Sequence, residues 1–230
     1  MNIKGIANTT LLDYPGHVAA TIYTGGCFFK CPFCFNKSLV LSHERLDTIP
    51  NEAVLEFLKS RLDALEGICI TGGEPLLQND LCDFMYDVKQ LGLDIKLDTN
   101  GYDPAHLNTI LKNGLVDYVS MDIKNCQEKY AKTTGTDDLE LTRIKLSVDL
   151  LKDCDIPYEF RTTVTRELHE WEDMENIGKW LAGARAYYLQ PYVLTDDVIM
   201  PVFSSYTKEE MLEMRKMLQN YINAVDVRGF

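Results

Sequence analysis

At 230 residues, 46% of them hydrophobic, the chain is long enough to bury the core of one α/β domain. Its 23 lysines and arginines stand against 35 aspartates and glutamates, a net charge of −12 that, with no basic patch along the sequence, excludes nucleic acid as a partner. No stretch approaches the roughly 20 apolar residues of a membrane helix, and the start "MNIKGIANTTLL" has no basic run leading into an apolar one; the expectation is a cytoplasmic protein with no membrane partner.

Taken in chain order, an N-terminal extension (1–16) leads into a barrel core (17–190) that begins with the apolar, β-branched run "HVAATIYT" at 17–24. "GGCFFKCPFC" follows at once, then a helix from Asn51, "NEAVLEFLKSRLDAL", and the strand "GICITG" at 67–72. "DLCDFMYDVKQL" from Asp80 is the next helix, and "LDIKLDT" at 93–99 the next strand. "PAHLNTILKNG" from Pro104 and "VDYVSMDI" at 116–123 repeat the alternation, as do "LELTRIKLSVDLLKD" from Leu139 with "YEFRTTV" at 158–164, and "EDMENIGKWLAG" from Glu172 with "ARAYYLQ" at 184–190. The remainder, 191–230, holds one helix from Thr207, with an N-cap threonine and a glutamate three residues on, and a tail.

Six strand-then-helix units in a row, with no flexible linker, require parallel strands joined by right-handed crossovers. That leaves a doubly wound sheet or most of a barrel. Eight units take about 250 residues, so a single domain with an incomplete, laterally open (β/α)6 barrel fits this length better. In either architecture chemistry gathers at the C-terminal ends of the strands. Cys27, Cys31 and Cys34, then "GGE" at 72–74, "DTNG" at 98–101, "DIK" at 122–124, Arg161 with Thr162 and Thr163, and Gln190 all fall there.

Seven cysteines are an odd set in a chain that folds without staples, which argues against a secreted disulfide framework. Cys69, Cys82, Cys126 and Cys154 stand alone and read as ordinary buried or half-buried thiols. The C-x3-C-x2-C triplet holds either zinc or an iron-sulfur cluster. Zinc would need a fourth ligand from His17, His43 or a distant cysteine. Phe28, Phe29, Phe33 and Phe35 instead wrap the triplet in an apolar shell of the kind that shields a cluster from water.

"CFFKCPFC" with "TGGEP" after the next strand resembles the radical S-adenosylmethionine (SAM) superfamily. The resemblance implies a [4Fe-4S] cluster on Cys27, Cys31 and Cys34 with one iron left open for the amino and carboxylate groups of SAM. It also implies that Phe33 packs near the adenine and that Gly72, Gly73 and Glu74 form the edge holding the SAM amino group. "DTNG" together with "MDIK" is similar to the glycyl-radical-enzyme activating branch. By that similarity Asp98 and Lys124 contact SAM, and Asp98, Thr99, Ser120 and Asp122 are candidates for a monovalent cation site. Strand alternation turns Arg161 and Thr163 to the ligand face, and Gln190 ends the sixth strand beside it. Relatives that activate pyruvate formate-lyase carry a histidine where this chain has Val193.

"LLDYPG" at 11–16 and the final "VDVRG" resemble the compact group of activating proteins for anaerobic ribonucleoside-triphosphate reductase. The implied activity is reductive cleavage of SAM, with an electron from flavodoxin or ferredoxin, to a 5′-deoxyadenosyl radical that removes a hydrogen from a glycine of a partner glycyl radical enzyme. Two alternatives stand beside it: a radical SAM enzyme with a small molecule or another protein as substrate, and a zinc-bearing structural or interaction module.

Overall fold

The six apolar runs all become neighbouring strands of one sheet in the computed structural model, which describes residues 1–229. They are β2 (Ala19–Thr24), β3 (Gly67–Gly72), β4 (Asp94–Thr99), β5 (Tyr118–Asp122), β6 (Tyr158–Val164) and β7 (Tyr187–Pro191), each parallel to the next. Two strands extend the set. β1 (Ile3–Thr10) runs antiparallel to β2, and β8 (Val225–Val227) lies parallel to β7. The sheet order is β1 to β8 in sequence, and among the described residues β1 and β8 do not pair, so the sheet is an open, incomplete (β/α) barrel.

The helices are α1 (Lys37–Leu41), α2 (Asn51–Lys59), α3 (Leu81–Gln90), α4 (Pro104–Lys112), α5 (Tyr130–Thr134), α6 (Leu141–Asp153), α7 (Trp171–Trp180) and α8 (Lys208–Leu218). Their starts follow from local chemistry. Asp103 accepts from the His106 amide at 3.1 Å with Pro104 at the first helical position. Thr207 and Glu210 cap α8 reciprocally.

Alternation along the strands separates two unlike faces. Ile68 and Ile70, Ile95 and Leu97, Val119 and Met121, and Phe160 are fully buried against Val54, Phe84, Leu107, Ile144 and Ile177 of the surrounding helices. Each such side chain contributes about 1.5–3 kcal/mol on leaving water. The other face carries Cys69, Lys96, Asp98, Tyr118, Ser120, Asp122, Glu159 and Arg161, a polar interior that is satisfied only by its own pairings.

The two added strands were hard to see in the sequence. "IKGIANTT" has no clean alternation, and "VDV" is three residues long. Both form because a neighbouring strand offers them a free edge. The extension at 1–16 therefore supplies the first strand of the sheet, and the tail supplies its last.

Candidate functional site

A cavity of about 600 Å³ opens at the C-terminal ends of the strands. Cys27, Cys31, Phe33 and Cys34 form one wall, in the loop after β2. Gly72, Gly73 and Glu74 follow β3, and Asp98, Thr99, Asp122, Lys124, Arg161, Thr163 and Gln190 complete the lining from β4 to β7. Of the residues expected to touch the cluster, SAM or a cation, Ser120 alone does not reach the cavity. It sits one level lower, where its hydroxyl donates to Glu159 at 2.9 Å.

The cysteine loop and the glycine loop are built against each other. Gly73 N donates to Thr24 O and Glu74 N to Gly26 O, each at 2.8 Å. Gly72 has φ +118°, and a Cβ there would stand 2.4 Å from the Thr24 amide nitrogen. A Cβ on Gly73 would stand 2.0 Å from the Gly26 carbonyl oxygen. The glycine pair thus serves the close approach of two backbone segments, which fixes Glu74 relative to Cys27.

Glu74 is buried, and its carboxylate accepts from Leu76 N (3.0 Å), Thr99 Oγ1 (2.6 Å) and Asn100 N (2.7 Å). Burial pushes its carboxyl up to about 7 in spite of those donors. Asn100 Nδ2 also approaches Cys27 Sγ at 3.6 Å, so one residue bridges the glutamate and the thiol wall. Burial raises all three triplet thiols, Cys31 to about 12. Such sulfurs become thiolates when a positive centre draws them, not on their own.

Opposite the thiols runs a row of alternating charge. Asp98 accepts from Lys96 and lies 3.1 Å from Arg161 Nη2; Asp122 accepts from Arg161 Nε at 2.5 Å and from Lys124 Nζ at 2.7 Å. Burial alone would raise both carboxyls, but Arg161 with Lys96 for Asp98, and Arg161 with Lys124 for Asp122, hold them below the ordinary carboxylate range. Thr162, on the opposite face from Arg161 and Thr163, donates to Ile123 O at 2.7 Å.

Phe29, Phe33 and Phe35 line the cavity, whereas Phe28 turns away and packs its ring 5.5 Å from that of Tyr102. Phe33 also meets His169 edge-on, and burial lowers that imidazole so that it stays neutral. Phe35 is 53% exposed at the mouth.

Several lining residues escaped the sequence reading. Asp13 and Tyr23 enter from the β1–β2 side, Asn36 donates to Gly72 O at 3.0 Å, and Arg228 arrives from beyond β8 to make two hydrogen bonds to Glu159. Asp13 lay in "LLDYPG" and Arg228 in "VDVRG", segments that carried only a resemblance and no local chemical signal.

The donor set decides what the thiol wall suits. Among the described residues no three His, Cys, Asp or Glu side chains come together closely enough to hold one metal ion. His17 has both ring nitrogens engaged, with Pro15 O and Asp94 each at 3.2 Å, and His43, held by Asn2 through Nδ1 at 3.1 Å, joins no such cluster. Three soft sulfurs spread around one wall of an open cavity fit a polynuclear iron-sulfur cluster with one position facing the cavity.

A family described as the radical SAM superfamily matches residues 21–181. A Methanocaldococcus jannaschii protein named "Putative glycyl-radical enzyme activating enzyme" is 32% identical over 98% of this chain and 95% of its own length. Streptococcus suis SuiB bound to S-adenosylmethionine superposes with a TM-score of 0.71 at 13% identity over 89% of this chain, which spans about half (48%) of that structure. A domain of pyruvate-formate lyase-activating enzyme from Bacteroides vulgatus superposes with a TM-score of 0.58 at 19% identity over 71% of this chain and 99% of that domain.

Proposed function

The chain belongs to the radical SAM superfamily and is a radical SAM enzyme, a family that implies a [4Fe-4S] cluster and SAM, and from that premise we propose that it activates a glycyl radical enzyme, an anaerobic ribonucleotide reductase first among the candidates. The observation that carries this reading is similarity, over 98% of this chain and 95% of the relative, to the protein named "Putative glycyl-radical enzyme activating enzyme". When bound, the cluster and SAM supply one-electron cleavage of SAM, with the electron from a flavodoxin or ferredoxin, to a radical that removes a glycine hydrogen.

The protein's own part is binding and placement. Cys27, Cys31 and Cys34 supply the cluster's three sulfur ligands, and Asn100 steadies Cys27 through its amide. Glu74, fixed by Thr99 and two backbone amides, offers a carboxylate to the N–H donors of the SAM amino group. Lys124, half paired to Asp122, offers positive charge to the SAM carboxylate, and Asp98, held ionised by Lys96 and Arg161, orients the same end. Phe33, Thr163 and Gln190 lie along the cavity for the adenosyl group. Phe29 and Phe33 exclude water beside the thiols. A polypeptide loop would enter past Phe35 and Val193, cavity-lining residues that are each more than half exposed.

The test is to combine the reconstituted protein, SAM and reductant with a glycyl radical enzyme of the same cell. A doublet spin signal that appears in the partner only when all components are present is the expected result. SAM cleavage without that doublet would move the substrate to a small molecule or another protein.

A further inference from the structure

Lys96 sits mid-strand on β4, only 2% exposed, inside the polar face of the sheet. Its ammonium touches Asp98 Oδ1 and lies 3.7 Å from Cys69 Sγ. A buried ammonium is costly unless it is paired, so this lysine is kept there by what it holds. Being two residues before Asp98, it shares a face with it and reaches the carboxylate from below.

The branch resemblance placed a monovalent cation among Asp98, Thr99, Ser120 and Asp122, and these residues do not fit one. An alkali ion needs several oxygen lone pairs converging on one point. Asp98 has Lys96 on one oxygen and Arg161 Nη2 at 3.1 Å from the other. Asp122 has Arg161 on one oxygen and Lys124 on the other. Thr99 spends its hydroxyl proton on Glu74 and accepts from Gly101 N at 3.0 Å, and Ser120 is turned to Glu159. From Lys96 to Lys124 the row reads plus, minus, plus, minus, plus. An added cation would meet Lys96 and Arg161 at the same carboxylate and be repelled by both.

We propose that the Lys96 ammonium takes the place of the monovalent cation beside Asp98, so that this chain binds SAM without an alkali ion. The proposal rests on the reading that the cavity binds SAM. Lys96 is a positioning residue: it keeps Asp98 ionised and oriented, and the charge is built in at folding rather than recruited from solution. Arg161 alone does not do this, because its guanidinium is shared with Asp122.

The test measures SAM binding to the reconstituted holoenzyme at matched ionic strength in tetramethylammonium, sodium and potassium chloride. The dissociation constant is expected to agree within about threefold across the three salts. A larger gain on adding sodium or potassium overturns the inference while leaving SAM binding intact. No binding in any salt removes the reading of the cavity, and the inference with it. Lys96→Ala, which vacates the ammonium's place, is expected to weaken binding by about tenfold or more in tetramethylammonium and to recover in sodium or potassium. A loss that neither ion repairs makes Lys96 merely structural and overturns the inference. Should that variant fail to fold, the three-salt comparison on the unaltered protein decides alone.

Discussion

Arg228 closes on Glu159 through two hydrogen bonds, Nη1 to Oε1 at 2.6 Å and Nη2 to Oε2 at 2.7 Å. Glu159 is fully buried inside the sheet, and the arginine that neutralises it comes from sixty-nine residues further along, just past the last strand. The tail is thereby tied to the interior on which the cavity rests.

Removing that arginine leaves a buried carboxylate with only the Tyr118 and Ser120 hydroxyls. Arg228→Ala should cost about 3 kcal/mol, the low end for breaking a buried pair because Arg228 is itself one third exposed. Its pH response should also invert. In the unaltered protein burial would raise the Glu159 carboxyl, but Arg228 holds it below its ordinary value; its contribution is therefore present above about pH 4.5 and lost as pH falls through the lowered value. Without Arg228 burial wins, the carboxyl rises, and the variant should gain stability as pH falls from 7 toward 5. Urea denaturation across that range measures both, and an unchanged slope with pH would mean that the tail contact carries no charge energy.

Gly73 and Gly92 separate close approach from backbone conformation. Gly92 has φ +79° and nothing within 4 Å of an added Cβ, so Gly92→Ala should cost only the left-handed penalty of about 1–2 kcal/mol and leave SAM affinity alone. Gly73→Ala forces the Glu74 loop off the Gly26 carbonyl. It should weaken SAM binding by about tenfold or more, since the glutamate moves with the loop. Equal SAM affinity in the two variants would show that loop docking does not set the position of Glu74.

A carboxyl held near 7 should report the arrival of hydrogen-bond donors. If the SAM amino group binds at Glu74, its N–H donors favour the ionised carboxylate, the carboxyl drops and Glu74 releases a proton, most strongly near pH 6–7. Calorimetric binding enthalpies in buffers of different ionisation heat measure the protons released, and Glu74→Gln should lower their number at pH 6–7. The same raised value makes the SAM-free protein lose stability as pH rises from 4.5 toward about 7, because the folded state favours the protonated form.

Thiols divide by environment. Alanine at Cys27, Cys31 or Cys34 should remove iron retention and SAM cleavage together. Alanine at Cys154, whose thiol donates to Leu151 O at 3.0 Å, should leave both largely intact. Iron content per chain after anaerobic reconstitution is the measurement, and equal loss from Cys154→Ala would mean that the wall of three thiols is not the ligand set.

Strand alternation and helix caps are local properties, and they placed the six parallel strands, the helices α2, α3, α4, α6 and α7 between them, though not the short α1 and α5, and the rim on which Cys27, Glu74, Asp98 and Lys124 meet. A buried carboxylate demands a counter-charge wherever it lies, so the pairing of Asp122 with Lys124, two residues apart on one extended face, was legible as well. The cysteine spacing marked a metal-binding loop, zinc or iron-sulfur, because thiols that close in sequence share one loop; the choice between the two came from the resemblance.

What the sequence alone left open depends on contacts between distant segments. Ser120 shares the inner face of β5 with Asp122, yet only the packed sheet shows it lying a level below the cavity beside Glu159. Lys96 carries no local signal in the sequence; the packed sheet puts its ammonium against Asp98 of its own strand and Cys69 of β3, with Arg161 of β6 on the far oxygen of the same carboxylate. β1 and β8 exist because a neighbouring edge supplies hydrogen bonds that their own residues do not encode, and Arg228 reaches Glu159 only after β8 has joined β7. Periodicity fixes which way a side chain points; which charge it meets is settled by strands that approach from elsewhere in the chain.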